Sequence, residues 1–133
     1  MRIPLLFLLP LLAACPPQES PDTGKDSGLP SPLSYVRDVE WIVEGRCTDR
    51  CHRDESHGGL NLVHGYANLV GVPSTQVPSM NRVEAGSSEA SYLWRKLEGT
   101  QVEVGGTGLP MGVDVYPEHK ALIRDWIDRG ADP

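Results

Sequence analysis

The sequence predicts a mostly α-helical fold, short helices joined by long loops, and three observations carry that expectation. Apolar residues recur at helical spacing in four separate stretches, near 34–45, 66–70, 87–98 and 117–129. Glycine or proline punctuates the gaps, with Gly45, Gly71, Gly99 and Gly130 placed as C-terminal stops and Pro117 in the first turn of the last stretch. No run alternates apolar and polar residues for long enough to make a useful strand. With 133 residues the chain has room for one domain.

Residues 1–14 read as a lipoprotein signal peptide. Arg2 is a brief positive region, and the apolar run from Ile3 to Leu11 is too short for a permanent membrane span. The ending Leu12-Ala13-Ala14-Cys15 resembles the bacterial lipobox, which implies cleavage before Cys15 and lipidation of its sulfur. The alternative is an ordinary small-residue cleavage site beside a chance cysteine. Acyl chains contribute about 0.8 kcal/mol per buried CH₂, so several would anchor the chain firmly. Pro16, rather than Asp, follows Cys15, which leans towards the outer membrane over the inner one. Residues 15–33 are the lipidated cysteine and a disordered tether, rich in Pro, Ser and Gly with little to bury. The folded domain is expected over 34–133.

Within it, Ser34 is placed to cap a first helix whose buried face is Tyr35/Val36, Val39 and Ile42/Val43, with Gly45 as its stop. A short helix at Tyr66-Ala67-Asn68-Leu69-Val70 closes at Gly71. Residues 72–83 contain Pro73 and Pro78 and read as loop. A further helix starts near Ser87 or Ser88, with Tyr92, Leu93 and Leu97 as its stripe and Gly99 as its end. The stretch from Thr100 to Val115 is glycine-rich and irregular. The last helix, 117–129, buries Leu122, Ile123, Trp126 and Ile127. The first and last helices are expected to touch through Val39, Val43, Ile123 and Ile127. Phe7, the only Phe, falls in the leader, so the core must be built from Leu, Val, Ile, Trp and Tyr. Such a core is thin enough to favour a staple, metal or cofactor.

The chemistry concentrates in Arg46-Cys47-Thr48-Asp49-Arg50-Cys51-His52. Once Cys15 is assigned to lipid, Cys47 and Cys51 are a matched pair, and His52 follows directly. Two thiols and an adjacent imidazole suit covalent haem attachment, the sulfurs bonding the vinyl groups and the histidine serving as proximal iron ligand. Three residues separate the cysteines, one more than is usual for such a motif.

The order of helix, cysteine pair with histidine, loop and helix, then a late methionine in Leu109-Pro110-Met111-Gly112 and a final helix, resembles class I cytochromes c. More closely, the chain is similar to short cytochrome c-like lipoproteins of deltaproteobacteria such as myxobacteria. The phrases that carry this are Gly-Gly-Leu-Asn-Leu, Tyr-Ala-Asn-Leu-Val-Gly-Val-Pro-Ser, Ser-Tyr-Leu-Trp-Arg-Lys-Leu-Glu-Gly and Leu-Ile-Arg-Asp-Trp-Ile-Asp-Arg-Gly-Ala. The resemblance implies a cytochrome c-like fold around a haem cleft, one covalent haem c on Cys47 and Cys51, His52 on one face of the iron and Met111 on the other. It implies a membrane-anchored electron carrier of the cell envelope, periplasm-facing or on the outer membrane, rather than an enzyme.

Other readings of the same residues stay open. Cys47 and Cys51 could form a disulfide in a haem-free lipoprotein that uses the helical scaffold for binding. Copper is weaker: binuclear copper centres with this cysteine spacing need His and Met where Glu55 and Gly58 stand, and copper-delivery thioredoxin-like proteins need a strand-helix alternation absent here. Met80 is the second candidate for the sixth ligand, and either methionine could instead fill a core gap. His57, His64 and His119 read as solvent-facing, Trp94 and Trp126 as core, and Asp49, Asp54 and Glu55 as a solvated acidic patch. The net charge of −6, about −7 once Arg2 leaves with the leader, argues against nucleic acid and suits basic redox partners. No nucleophile–base pair or paired carboxylate stands out, and Gly105-Gly106-Thr107-Gly108 lacks the lysine and strand of a phosphate loop.

Overall fold

The computed structural model describes residues 32–54, 57–63, 65–108 and 115–133. The expected leader, Cys15, most of the tether, Glu55, His64 and the segment carrying Met111 lie outside the described residues. Among the described residues the fold is mostly helical, and its only β pairings are isolated bridges: Val70 with Val83, Pro73 with Asn81, and Glu84 with Ser87.

The leading helix begins where the sequence places it. The Ser34 hydroxyl accepts the Arg37 N–H at 3.4 Å, and Asp38 reaches back to accept the Ser34 N–H at 2.8 Å. This reciprocal pairing satisfies donors that a helix start would otherwise leave bare. Its winding changes along the way: π over Tyr35–Val39, α over Glu40–Val43, and π again over Glu44–His52. Two expectations are corrected here. Gly45 does not stop the helix, because it is not among the glycines that take the left-handed φ a terminating glycine needs, and the helix runs through it to His52. Val36 does not share the buried face with Tyr35: it is 66% exposed where Tyr35 is fully buried. The wider i→i+5 winding of this first turn changes the angle between neighbours that a uniform α spacing assumes.

The last helix, Pro117–Asp128, has Pro in its first turn and buries Ile123, Trp126 and Ile127. Its C-terminal end is followed by Gly130 at φ 115°. The last helix meets the first at its Tyr35–Val39 turn, and Val39, Val43, Ile123 and Ile127 all belong to one buried cluster. Tyr35, Ile42, Leu62, Leu69, Val83, Trp94, Leu97 and Val115 complete most of that core. Tyr35 stacks obliquely on Trp126 with ring centroids 5.5 Å apart and on Tyr66 at 5.7 Å.

Between these two helices the chain forms a short helix at Tyr66–Leu69, a helix at Tyr92–Glu98 and a 3₁₀ turn at Gln101–Val104. The middle helix starts at Tyr92, later than the serines at 87 and 88 suggested. Ser87 caps a turn instead: its Oγ accepts the Ala90 N–H at 3.3 Å, and Ser91 Oγ donates to Ser87 O at 2.8 Å. Serine side chains compete for backbone groups in this way, which moves the helix start to Ser91 as N-cap. Gly99 ends that helix at φ 78°, as expected. Among the described residues no helix is long and apolar enough to cross a membrane.

Trp126 sits at the centre of the core, fully buried, with its indole N–H donated to Asp132 O at 2.8 Å. Trp126→Ala should cost about 3–5 kcal/mol of stability, whereas Val102→Ala, at a side chain 65% exposed, should stay within about 0.5 kcal/mol. Urea unfolding of the purified protein compares the two, and similar midpoints for both variants would contradict this account of the core.

Candidate functional site

The second π-wound stretch forms one wall of a cleft. Arg46, Cys47, Cys51 and His52 all line a cavity of about 540 Å³, within the size range of cofactor and ligand pockets. Leu60, Leu62, Leu69, Leu93 and Leu97 supply most of its apolar surface, and Ser74, Thr75, Gln76 and Tyr92 bring polar groups. The cleft therefore draws on the leading helix, the loop after it, the Pro73–Pro78 loop and the middle helix. Cys47, Cys51 and His52, which the sequence groups, line this cavity together. The sequence did not identify Arg82, Lys96 or Gln76 as partners of that site.

His52 is held by backbone. Its Nδ1 lies 3.2 Å from Leu60 O, and its own carbonyl accepts the Leu62 N–H at 2.8 Å. A carbonyl can only accept, so with the proton on Nδ1 the neutral ring would hold its lone pair on Nε2. This is the arrangement typical of a metal-ligating histidine, whose second nitrogen is fixed by an outer partner. Burial lowers the imidazole's pKa from the ordinary His value; hydrogen bonds to the backbone of Leu60 and His57 oppose that, and the charges of His57 and Lys96 add to it. The His52 and His57 rings meet edge-on with centroids 6.3 Å apart, and His57 is exposed as expected.

Cys47 is largely buried, and its thiol is pushed up to about 11, by burial first and by the neighbouring Cys51 second. Neither cysteine is bridged. Both belong to the cleft wall, as sulfurs that bond a cofactor from one side must. Among the described residues no group of three or more His, Cys, Asp and Glu could hold a bare metal ion. A haem needs no such cluster, because its porphyrin supplies four of the six ligands.

The electrostatics of the cleft run against those of the chain. Arg46, Arg82 and Lys96 line it, and no carboxylate does among the described residues, although the net charge is −6. Arg82 ties the short Tyr66–Leu69 helix to the loop before it, donating to Asn68 O and to Gly59 O, each at 2.8 Å. Lys96 shares the pocket side of its helix with Tyr92, Leu93 and Leu97 and donates to Thr107 O at 3.1 Å. A lysine on the apolar stripe of a helix was the available signal for it in the sequence.

The glycine-rich segment borders the same cleft. Gly108, at φ 84°, lines it, while Gly106 packs so tightly on the Tyr92 ring and on Gln101 O that a Cβ there would collide. Gly106 thus serves close packing rather than loop freedom. Met111 follows three residues after Gly108, outside the described residues. Met80 is described and is not part of the cleft wall; its backbone closes a turn with Ser74 and Val77 instead. His119, expected to face solvent, is half-buried between Trp41 and Tyr116, with ring centroids 4.9 and 5.4 Å away and a buried Nδ1. Trp94 and Trp126 are core, as expected. Asp54 is exposed.

No family model matches the chain, and no curated protein or solved structure is significantly similar to it.

The lowered pKa of His52 makes a signed prediction. The folded chain resists protonating this ring more than the unfolded chain does, so no stability is lost above the ordinary value of 6.5. Stability declines as pH falls from 6.5 through the lower folded value. In the haem-free protein, the loss of stability over that window should shrink in His52→Asn. Identical acid limbs in the two unfolding profiles would contradict the assignment.

Proposed function

We propose that the chain is a monohaem c-type cytochrome, anchored to an envelope membrane through Cys15, that carries single electrons. The observation that supports this most is the shared wall: Cys47, Cys51 and His52 face one apolar cleft of cofactor size, with the imidazole oriented by Leu60 O. The donor chemistry fits the group. Two thiols suit thioether bonds to the haem edge, and a neutral imidazole with its lone pair on Nε2 suits an axial iron ligand. When bound, haem supplies the one-electron ferrous–ferric couple.

The rest of the chemistry belongs to the chain. Leu60, Leu62, Leu69 and Leu97 exclude water from the cleft and lower its polarity, which resists a net change of charge there. Arg46, Arg82 and Lys96 provide positive charge suited to the carboxylates of a haem's propionate groups. Met111 is proposed as the sixth ligand, because Gly108 brings the chain to the cleft edge three residues before it. A thioether there would favour ferrous iron and raise the reduction potential relative to two histidines. The acidic balance of the chain outside the cleft suits a basic redox partner.

Protein exported from cells that possess haem-attachment machinery should show Soret and α absorption bands that survive denaturation in acid acetone. Met111→Ala should keep the covalent haem, lose the weak long-wavelength sulfur-to-iron band and shift the potential downward. Absence of the Soret and α bands after correct export would sink the cytochrome reading and leave the disulfide-stapled binding scaffold. Persistence of the sulfur-to-iron band in Met111→Ala would exclude Met111 and direct the same test to Met80.

A further inference from the structure

The three-residue spacing of the cysteines poses a geometric problem that the winding of the helix answers. In an α-helix successive residues turn about 100°. A second cysteine three residues on and a histidine four on then flank the first cysteine, at about −60° and about +40°. With one residue more in an α-helix, Cys51 would lie about 40° from Cys47 and His52 about 140° away, turned off the shared face. In a π-helix each turn holds nearly one residue more, since its hydrogen bonds run i→i+5. Positions four and five residues on then flank the first again. The π-winding over Glu44–His52 therefore absorbs the additional residue, and all three side chains reach the same cleft.

Such winding is rare and needs a local cause. Thr48, the first residue between the cysteines, is buried, and its hydroxyl donates to Glu44 O at 2.6 Å, with Val43 O at 3.4 Å. Glu44 O is the carbonyl that Thr48's own backbone N–H would take in an α-helix, four residues back. That carbonyl has two lone pairs, so the hydroxyl does not block α-winding; its short bond to Glu44 O instead weakens the backbone bond that α-winding would restore and bends the helix there. Threonine hydroxyls are known to bond the carbonyl four residues back and distort helices.

We infer that Thr48 is a positioning residue whose hydroxyl holds the π-turn and thereby lets a three-residue cysteine spacing present Cys47, Cys51 and His52 to one haem. The inference rests on the cytochrome reading, so the test separates the two. Five full-length chains are exported with haem-attachment machinery: the natural sequence, Thr48→Val, Thr48→Ser, a chain lacking Asp49, and that deletion combined with Thr48→Val. The deletion restores a two-residue spacing that α-winding serves, so it has no need of the hydroxyl.

Covalent haem per folded polypeptide is read by mass and by haem stain, and amide hydrogen exchange over 44–52 is read on haem-free protein. Thr48→Val should lower haem loading about three- to tenfold at the natural spacing, the range expected for one lost hydrogen bond. Thr48→Ser should load as the natural chain does, and Thr48→Val should change nothing in the deletion background. Exchange of the 48–52 amides should quicken in haem-free Thr48→Val, which keeps a readout independent of haem. Equal losses in both backgrounds, unimpaired loading of Thr48→Val, or failure of Thr48→Ser to rescue would each overturn the positioning role while leaving the cytochrome reading intact. Haem on no chain, the deletion included, would overturn the cytochrome reading itself and the inference with it.

Discussion

The carbonyl of Asp132 accepts two hydrogen bonds, the Tyr35 backbone N–H at 2.9 Å and the Trp126 indole N–H at 2.8 Å. Through that one oxygen the C-terminal tail clasps the start of the leading helix to the last turn of the final one. Tyr66 adds a third tie from its hydroxyl to Ala131 O at 3.1 Å. The clasp demands an unusual backbone: Ala131 is the one non-glycine residue at positive φ among the described residues, 53°, and it is buried. That conformation costs about 1–3 kcal/mol and is held by the contacts around it. Gly65 is a second requirement, because a Cβ there would sit 2.6 Å from the Tyr35 hydroxyl. The direction of the leading helix, and with it the placement of Cys47, Cys51 and His52, follows from this junction.

Much of the scaffold was legible because it rests on local chemistry. Ser34 as cap, Pro117 in the first turn, Gly99 as a left-handed stop, and the burial of Val39, Val43, Ile123 and Ile127 in one core all follow from periodicity and capping rules. The failures cluster in the leading helix. Val36 and Gly45 were misread because both arguments assumed α-winding, and nothing in residue periodicity announces a π-turn. His119 was misread because its cover comes from Trp41, far off in sequence, together with its near neighbour Tyr116.

The site was legible in part for the same reason. Cys47, Cys51 and His52 stand close together in the sequence, which made the group visible, although the face they share depends on the π-winding. The cations that line the cleft come from separate elements: Arg46 from the leading helix, Arg82 from a loop and Lys96 from the middle helix. Only the fold brings them together. An acidic chain that collects three cations and, among the described residues, no carboxylate around an apolar cavity has the electrostatic character suited to an apolar ligand with an anionic edge. The shared wall and this charge pattern are both consistent with the haem proposed for this cleft.

Mass spectrometry of the proteolytic fragment carrying Cys47 to His52, taken from natively exported protein, addresses the covalent bond itself. The account predicts a fragment heavier by one haem, with fragmentation placing a thioether on each sulfur. A fragment carrying two unmodified thiols, or one lighter by two hydrogens and closed as a disulfide, would contradict it.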